Sequence, residues 1–292
     1  MTDNKKSTGF WALIVKLGSK FLPAIVKSAK LIKVGLALAT FAAYSALFTW
    51  KFALLVMAAI GWHESGHVWA MKRCGIKTSG FYFLPFLGGV AVAKGECKSY
   101  STWSFIALMG PIWGLALSLA CLCAYLCLGL PWLAAAASWM AAINLFNLLP
   151  VNPLDGGQVM RTITFSIHEK AGLYFLGGSM LLGIVLMMKL HILIFAILLG
   201  FAAMELWREW IKNKDYREVK ELYEQHQDQM SGDLRCQMAG YLASNQGPQP
   251  LSKMAMTWTV LGYVGTVAAL FGIVLGLSHI AGADLAANFF KD

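Results

Sequence analysis

Long apolar blocks constrain this chain more than any other feature of its sequence. A helix that crosses the hydrocarbon core of a bilayer needs roughly 20 apolar residues. We predict seven such spans, at residues 34–50, 52–71, 103–128, 131–149, 171–188, 190–207 and 254–279. Single lysines at 51 and 189 divide two longer apolar runs, so each run could form a helical hairpin or one long tilted helix. Only 13% of the residues are charged, against about 25% in soluble domains, which excludes a water-soluble globule.

The basic residues lie between the apolar blocks, in a pattern that indicates one orientation. The chain carries 24 Lys and Arg against 15 Asp and Glu, a net charge of +9. With seven spans and a cytoplasmic N-terminus, every Lys and Arg except Lys51, Lys189 and Lys291 falls on the cytoplasmic side, as the positive-inside rule predicts. A nucleic-acid-binding protein would instead cluster basic residues on one exposed face, so we expect no nucleic-acid partner. We expect a bacterial inner (cytoplasmic) membrane.

Composition divides the chain into four parts. A basic amphipathic segment at 10–33 predicts a helix that lies in the membrane interface, although Pro23 interrupts the pattern and leaves a loosely ordered tail as the alternative. Residues 208–253 form the only sizeable polar stretch, and they predict a helical appendage too short to be an independent domain. The predicted parts are a cytoplasmic tail with its interfacial helix (1–33), a transmembrane core (34–207), the appendage (208–253), and an extra transmembrane helix with a short tail (254–292).

Two histidines and a glutamate lie inside the second predicted span, where ionisable side chains are costly and usually functional. The segment reads GWHESGH at 61–67 and contains a HExxH pattern. Positions i and i+4 of a helix share one face, so His63 and His67 can bind one zinc ion while Glu64 acts as a general base. Patterns this short also recur by chance, and the alternative is a pair of histidines hydrogen-bonded to neighbouring helices.

A second carboxylate, that of Asp155, follows a segment that cannot continue a helix. The stretch NLFNLLPVNPLDGG at 144–157 contains two prolines, which break helices, and two glycines, which allow close backbone approach. Irregular backbone at membrane depth survives only where it is buried in protein or lines a wet cavity. Asp155 is therefore a candidate for the third protein ligand of a catalytic zinc site. It is also a candidate N-cap of the following helix.

Together, the two motifs resemble those of the site-2 protease family of intramembrane zinc metalloproteases, peptidase family M50. HESGH at 63–67 is similar to the family's zinc-binding helix and NLLPVNPLDGG at 147–157 to its second motif, within a resemblance that covers roughly residues 50–170. The resemblance implies that His63, His67 and Asp155 bind one Zn²⁺ per chain. It also implies Glu64 as the catalytic base and Asn147 as a polar group near the substrate or the oxyanion. GPIWG at 110–114 is similar to the family's glycine-proline turn, but residue 114 is Gly where many members carry Asn.

Between the motifs, residues 81–93 are aromatic, β-branched and interrupted by Gly and Pro, which predicts strand, turn and strand. The resemblance implies a short membrane-associated hairpin between the second and third spans, dipping in beside the zinc. An exposed strand edge there could take an unwound substrate as an added strand, with Gly88, Gly89 and Val90 as the expected substrate contacts. The alternative is a surface hairpin with no substrate role.

The sequence thus predicts an all-α polytopic membrane protein with about seven transmembrane helices and one short hairpin. The expected function is zinc-dependent hydrolysis of a peptide bond in or near a transmembrane segment, with the active site toward the cytoplasm. The expected partners are the lipid bilayer and a single-pass membrane protein or signal-peptide substrate, and a homo-oligomer is left open. Two alternatives come from other classes. A metal or solute transporter would be expected to show repeated halves, and a non-catalytic scaffold would be expected to lack one of the four motif residues.

Overall fold

The computed structural model describes residues 30–85, 88–95, 97–190, 194–226 and 228–280. Within these ranges the chain is predominantly helical, with one antiparallel hairpin. The elements are α1 (Lys30–Leu47), α2 (Trp50–Arg73), β1 (Thr78–Leu84), β2 (Gly88–Ala93), α3 (Tyr100–Leu128), α4 (Pro131–Asn147), α5 (Asp155–Ile167), α6 (Glu169–Leu190), α7 (Ile194–His226), α8 (Gly232–Asn245) and α9 (Lys253–Ile280). The predicted interfacial helix at 10–33 lies outside the described residues except for its last four, which form the first turn of α1.

Both lysine-divided apolar runs form two helices each. The first run breaks after Leu47, and α2 begins with Thr49 as its N-cap, where the Thr49 hydroxyl accepts a hydrogen bond from the Phe52 backbone N–H. The second run divides into α6 and α7, on either side of residues outside the described ranges. Each run therefore contains two described helices, and α6 and α7 pack against each other, as expected for a hairpin.

Seven spans are not confirmed by the described helices. Four of them are long and apolar enough to cross a membrane: Lys30–Leu47, Tyr100–Leu128, Glu169–Leu186 and Lys253–Ser278. The other three predicted spans differ for identifiable reasons. The α2 helix carries the polar HExxH residues, α4 has only 17 residues, at the short end of what a bilayer requires, and α7 passes directly from an apolar half into a charged half.

The buried face of α2 is continuous with the HExxH residues. Its buried positions recur every three or four residues, as expected for one face of a helix, and they are Phe52, Ala53, Val56, Ala59, Ile60, His63, Glu64, Gly66, His67, Ala70 and Met71. The face packs mainly against α3 and the hairpin. Helical periodicity therefore directs the side chains of the two histidines and the glutamate toward the interior of the bundle.

One end of the bundle is held together by loop contacts. The segment before α9 runs beside the start of α3, where Gln249 N–H donates to Lys98 C=O at 2.9 Å and Gln249 C=O accepts from Tyr100 N–H at 3.0 Å. The Leu251 N–H donates to the Ser166 hydroxyl near the end of α5 at 2.9 Å. All these residues belong to loops and helix ends that the sequence places on the cytoplasmic side.

The α7 helix is one continuous element of 33 residues. It crosses residue 207, where the sequence suggests that the transmembrane core ends and the polar appendage begins. Ion pairs between residues four apart, such as Lys214 with Glu218 at 3.8 Å, are typical of an exposed helix and continue helical preference into the polar half. The appendage therefore shares a helix with the core, and α8 follows it as a separate short helix.

Candidate metal centre

Glycines allow α2 and α3 to approach closely beside the HExxH residues. A β-carbon at Gly66 would lie only 2.4 Å from the backbone oxygen of Met109 on α3. On the opposite side of the contact, a β-carbon at Gly110 would lie 2.3 Å from His67 Nε2 and 2.8 Å from His63 Nε2. Real β-carbons essentially never come within 3.0 Å of other heavy atoms. Both positions therefore require glycine, and the two imidazole rings rest directly against the α3 backbone.

The structure brings His63, His67 and Asp155 together at one point. His63 Nε2 lies 2.9 Å from Asp155 Oδ2, and His67 Nε2 lies 3.3 Å from Asp155 Oδ1. The two Nε2 atoms lie 3.1 Å apart. The motif on α2 and the first residue of α5, nearly 90 positions apart in the chain, thus direct three potential ligand atoms into one small space.

These three side chains fit a zinc ion. Ligands bound tetrahedrally at about 2.0–2.1 Å lie about 3.3 Å from one another, close to the three distances observed. Two imidazole nitrogens and one carboxylate oxygen are also a common ligand set of catalytic zinc. His63 and His67 are 3% and 7% exposed, whereas the Asp155 side chain keeps 18% of its surface exposed, so the site is buried but not sealed.

Hydrogen bonds at Nδ1 orient both histidine rings. His63 Nδ1 lies 2.7 Å from Asn144 Oδ1, and His67 Nδ1 lies 2.7 Å from the Ile106 carbonyl oxygen. Both acceptors are oxygens, so each ring donates its Nδ1–H and keeps the Nε2 lone pair free for a metal.

The position of Asp155 depends on the two glycines that follow it. The α4 helix ends at Asn147, and α5 begins at Asp155 with Leu154 as its N-cap, so Asp155 is not itself the cap. A β-carbon at Gly156 would lie 2.1 Å from the Leu148 carbonyl oxygen, and one at Gly157 would lie 2.5 Å from the Asn152 backbone nitrogen. The first turn of α5 therefore packs directly on the loop 148–154, which aims the carboxylate at the histidines.

Glu64 lies between the histidines and the hairpin. It is 6% exposed, and a β-carbon at Gly89 would lie 2.5 Å from its Cγ and 2.9 Å from its Cδ. Gly89 is the second residue of β2 and pairs with Phe83 of β1. The absence of a side chain at Gly89 thus lets the backbone of β2 rest against the Glu64 carboxyl group.

The remaining predicted site residues lie on β2 and at the end of α4. Gly88 has a positive φ of 92° and begins β2, which suits a residue leaving a tight turn. Val90 is 44% exposed. Asn147 is the last residue of α4 and is half-buried. The observed strands confirm the predicted strand-turn-strand at 81–93, although Phe86 and Leu87 in the turn lie outside the described residues.

A polar network that the sequence reasoning missed supports the Asp155 loop. Asn152 in this loop is 1% exposed; its amide donates to Glu205 of α7, and its Oδ1 accepts from Gln158 at 2.8 Å. Arg161 of α5 also pairs with Glu205 and, at 3.0 Å, with Glu209. The sequence did contain a signal for Glu205, because this residue lies inside the apolar span predicted at 190–207. A carboxylate at membrane depth normally has a polar or charged partner.

Comparisons with known proteins agree with this geometry. Residues 51–130 match the model of peptidase family M50. This stretch of the chain is similar to peptidase family M50. It is also 32% identical, over 141 residues, to “Putative zinc metalloprotease Rip3” of Mycobacterium tuberculosis, from the Erdman and H37Rv strains alike. The matched part covers 44% of this chain and 36% of Rip3, so the chain matches about a third of the length of these relatives.

The family match and the geometry cover different parts of the candidate metal centre. The matched residues include α2, the hairpin and α3, and thus both histidines and Glu64. Asp155 lies beyond residue 130, and the structure itself brings this carboxylate to the histidines. The similarity to M50 and the four helices long and apolar enough to cross a membrane together support a membrane protein related to metalloproteases.

Proposed function

We propose that this chain is an intramembrane zinc endopeptidase that hydrolyses a peptide bond in or near the transmembrane segment of a membrane-anchored substrate. One observation carries the proposal. Two imidazole nitrogens and a carboxylate oxygen converge within about one zinc coordination shell, and the carboxyl group of Glu64 is buried on the same face of α2. The M50 match and the resemblance to a zinc metalloprotease support it.

In this proposal His63, His67 and Asp155 hold the zinc ion, and the Nδ1 hydrogen bonds keep both rings in the binding tautomer. A bound zinc ion supplies Lewis acidity, which acidifies a water molecule and polarises a carbonyl group. Glu64 accepts the proton of the attacking water and later donates it to the leaving amide nitrogen. Burial of Glu64 keeps this proton transfer within the site.

The hairpin is the proposed substrate platform. Within the described residues β2 pairs only with β1, so its second edge can accept an extended substrate through backbone hydrogen bonds. A helical substrate must unwind before its carbonyls can be attacked, and pairing with β2 offsets the hydrogen bonds lost. Because Gly89 touches Glu64, a strand added there runs beside the general base. Gly88 and Val90 flank that contact, and Asn147 provides a polar group for the substrate or the oxyanion.

We propose that the centre opens toward the cytoplasm, in a bacterial inner membrane and with the N-terminus cytoplasmic. His67 is six residues from the end of α2, about 9 Å at 1.5 Å per residue, and Lys72 and Arg73 form that end. Basic residues of this kind mark cytoplasmic ends. Lys291 and the C-terminus lie outside the described residues. A reporter fused after Asp292 is expected outside the cytoplasm, and cytoplasmic reporter activity would contradict the seven-span orientation.

Three purified full-length chains in detergent test the proposal: wild type, Glu64→Gln and Asp155→Ala. The substrate is a single-pass test protein with a label on each side of its transmembrane segment. Wild type is expected to contain one zinc per chain by elemental analysis and to release a cleaved product that a chelator abolishes. Glu64→Gln should retain the zinc and lose cleavage, because the amide cannot accept the proton. Asp155→Ala should lose both.

The outcomes separate the proposal from its rivals. Substantial proteolysis by purified Glu64→Gln would remove Glu64 as the base, and full zinc content in Asp155→Ala would remove Asp155 from the metal site. A transporter or a scaffold would show no chelator-sensitive cleavage in any variant. Quantitative proteomics of membrane peptides, comparing cells with wild type and with Glu64→Gln, then identifies the natural substrates.

A further inference from the structure

We infer that Asn144 is a positioning residue for the zinc centre, and that Gly114 provides the space that it occupies. The inference rests on the proposed zinc site. It assigns a new role to a residue that is not one of the metal ligands proposed from the two sequence motifs. Asn144 lies in the last turn of α4, at the end of the buried face of this helix, and is 0% exposed. A fully buried amide is costly unless its hydrogen bonds are made, so its partners indicate its purpose.

The amide of Asn144 is held at both ends. Its Nδ2 donates to the Met140 carbonyl oxygen at 2.7 Å, one turn earlier on α4. Its Oδ1 lies 2.7 Å from His63 Nδ1. The Met140 contact fixes which end of the amide is the acceptor, because only the NH₂ group can donate to a carbonyl. The oxygen is therefore presented to His63, whose Nδ1–H donates to it.

The opposite helix is shaped around this contact. A β-carbon at Gly114 of α3 would lie 1.9 Å from Asn144 Oδ1 and 2.1 Å from its Cγ. No side chain larger than hydrogen fits at 114 while Asn144 holds this position. The amide group of α4 thus fills the volume that a side chain from α3 would otherwise take, and the polar contact to His63 is supplied from α4.

Asn144 differs from the general α3–α4 packing around it. Ser118 is also fully buried at this helix pair, and its hydroxyl donates to the Ala137 carbonyl oxygen at 2.7 Å. That bond joins the same two helices without touching a metal ligand. Ser118→Ala is therefore a matched control, which removes one buried hydrogen bond from the interface and leaves His63 unchanged.

The test measures zinc affinity of the full-length chain in detergent by competition with a chromogenic chelator. Loss of a hydrogen-bond partner of a metal-bound histidine typically weakens metal binding 10–100-fold. We expect a loss of about this size for Asn144→Leu. Asn144→Asp keeps an acceptor oxygen and is expected to stay within about fivefold of wild type, while Ser118→Ala stays within about twofold.

Gly114→Ala disturbs the contact between Asn144 and His63 from α3 instead of α4. It tests the inference independently if Asn144→Leu does not fold. Its added methyl group displaces the amide oxygen from His63, so zinc affinity is again expected to fall at least about 10-fold. Wild-type affinity in a folded Asn144→Leu or Gly114→Ala chain would overturn the inference, as would equal losses in the Leu and Asp variants. If wild type itself binds no zinc, the proposed function fails, and the inference fails with it.

Discussion

Substitution of Gly110 by alanine should weaken zinc binding strongly without altering any ligand. The new β-carbon would lie 2.3 Å from His67 Nε2, about 1 Å inside ordinary van der Waals contact. Either the ring or α3 must therefore move by roughly that distance. Metal–ligand distances tolerate only about ±0.2 Å, so the required movement is about five times larger than the site can absorb. We expect the dissociation constant for zinc to rise at least about 100-fold.

The assay is zinc content by elemental analysis, together with chelator competition. Alanine favours a helix over glycine by about 1 kcal/mol, so a lower helix propensity of α3 cannot explain a loss. Gly262→Ala on α9 is the matched control, because the nearest atom to its β-carbon is a Leu108 methyl at 3.5 Å, and its zinc affinity should stay within about twofold of wild type. Wild-type zinc affinity in Gly110→Ala would refute the inferred contact between the rings and α3.

Two further substitutions test how the Asp155 loop is supported. Arg161→Leu leaves the carboxylates of α7 without their buried partner, and it should lower the free energy of unfolding by about 2–3 kcal/mol, measured by chemical denaturation in detergent. Arg217→Leu, which removes a half-exposed ion pair of 3.9 Å, should cost less than about 0.5 kcal/mol; equal losses would contradict a special role for Arg161. Tyr263→Phe removes the hydrogen bond from its hydroxyl to the Leu148 carbonyl, 2.6 Å long, and should cost about 1 kcal/mol with zinc content unchanged. Unaltered stability in this variant would show that α9 does not brace the loop.

Residues with a fixed spacing along the chain were predictable, whereas their partners on other helices were not. HESGH places three side chains on one helical face wherever the helix lies, and the proline-broken segment before Asp155 cannot be regular. Asn144 and the Ile106 carbonyl depend on how α2, α3 and α4 cross, which no local pattern specifies. Asn144 is one of two asparagines in the apolar block at 131–149, and this was nevertheless a signal, because such groups need partners at membrane depth.

The helix count shows the same division. Apolar blocks predict helices well, and nearly every predicted span coincides with a described helix. Apolar blocks do not predict which side of a helix faces lipid and which side faces protein. The histidines and the glutamate of α2 lie on its protein-facing side, so its lower mean hydropathy does not by itself exclude a membrane span. The predicted boundary between core and appendage at residue 207 marks a change in composition. The backbone hydrogen bonds of α7 continue across it, because they do not depend on the polarity of the side chains.

The uninterrupted α7 helix has a mechanical consequence. At 1.5 Å per residue its 33 residues extend about 50 Å, and Glu205 and Glu209, near its middle, grip Arg161. A continuous helix held at its middle moves as one rigid element. A displacement of the charged half of α7 would therefore reach the loop before Asp155 through the contact between Glu205 and Asn152. The charged half of α7 and the loop that carries Asp155 into the candidate metal centre are thus connected through one continuous helix.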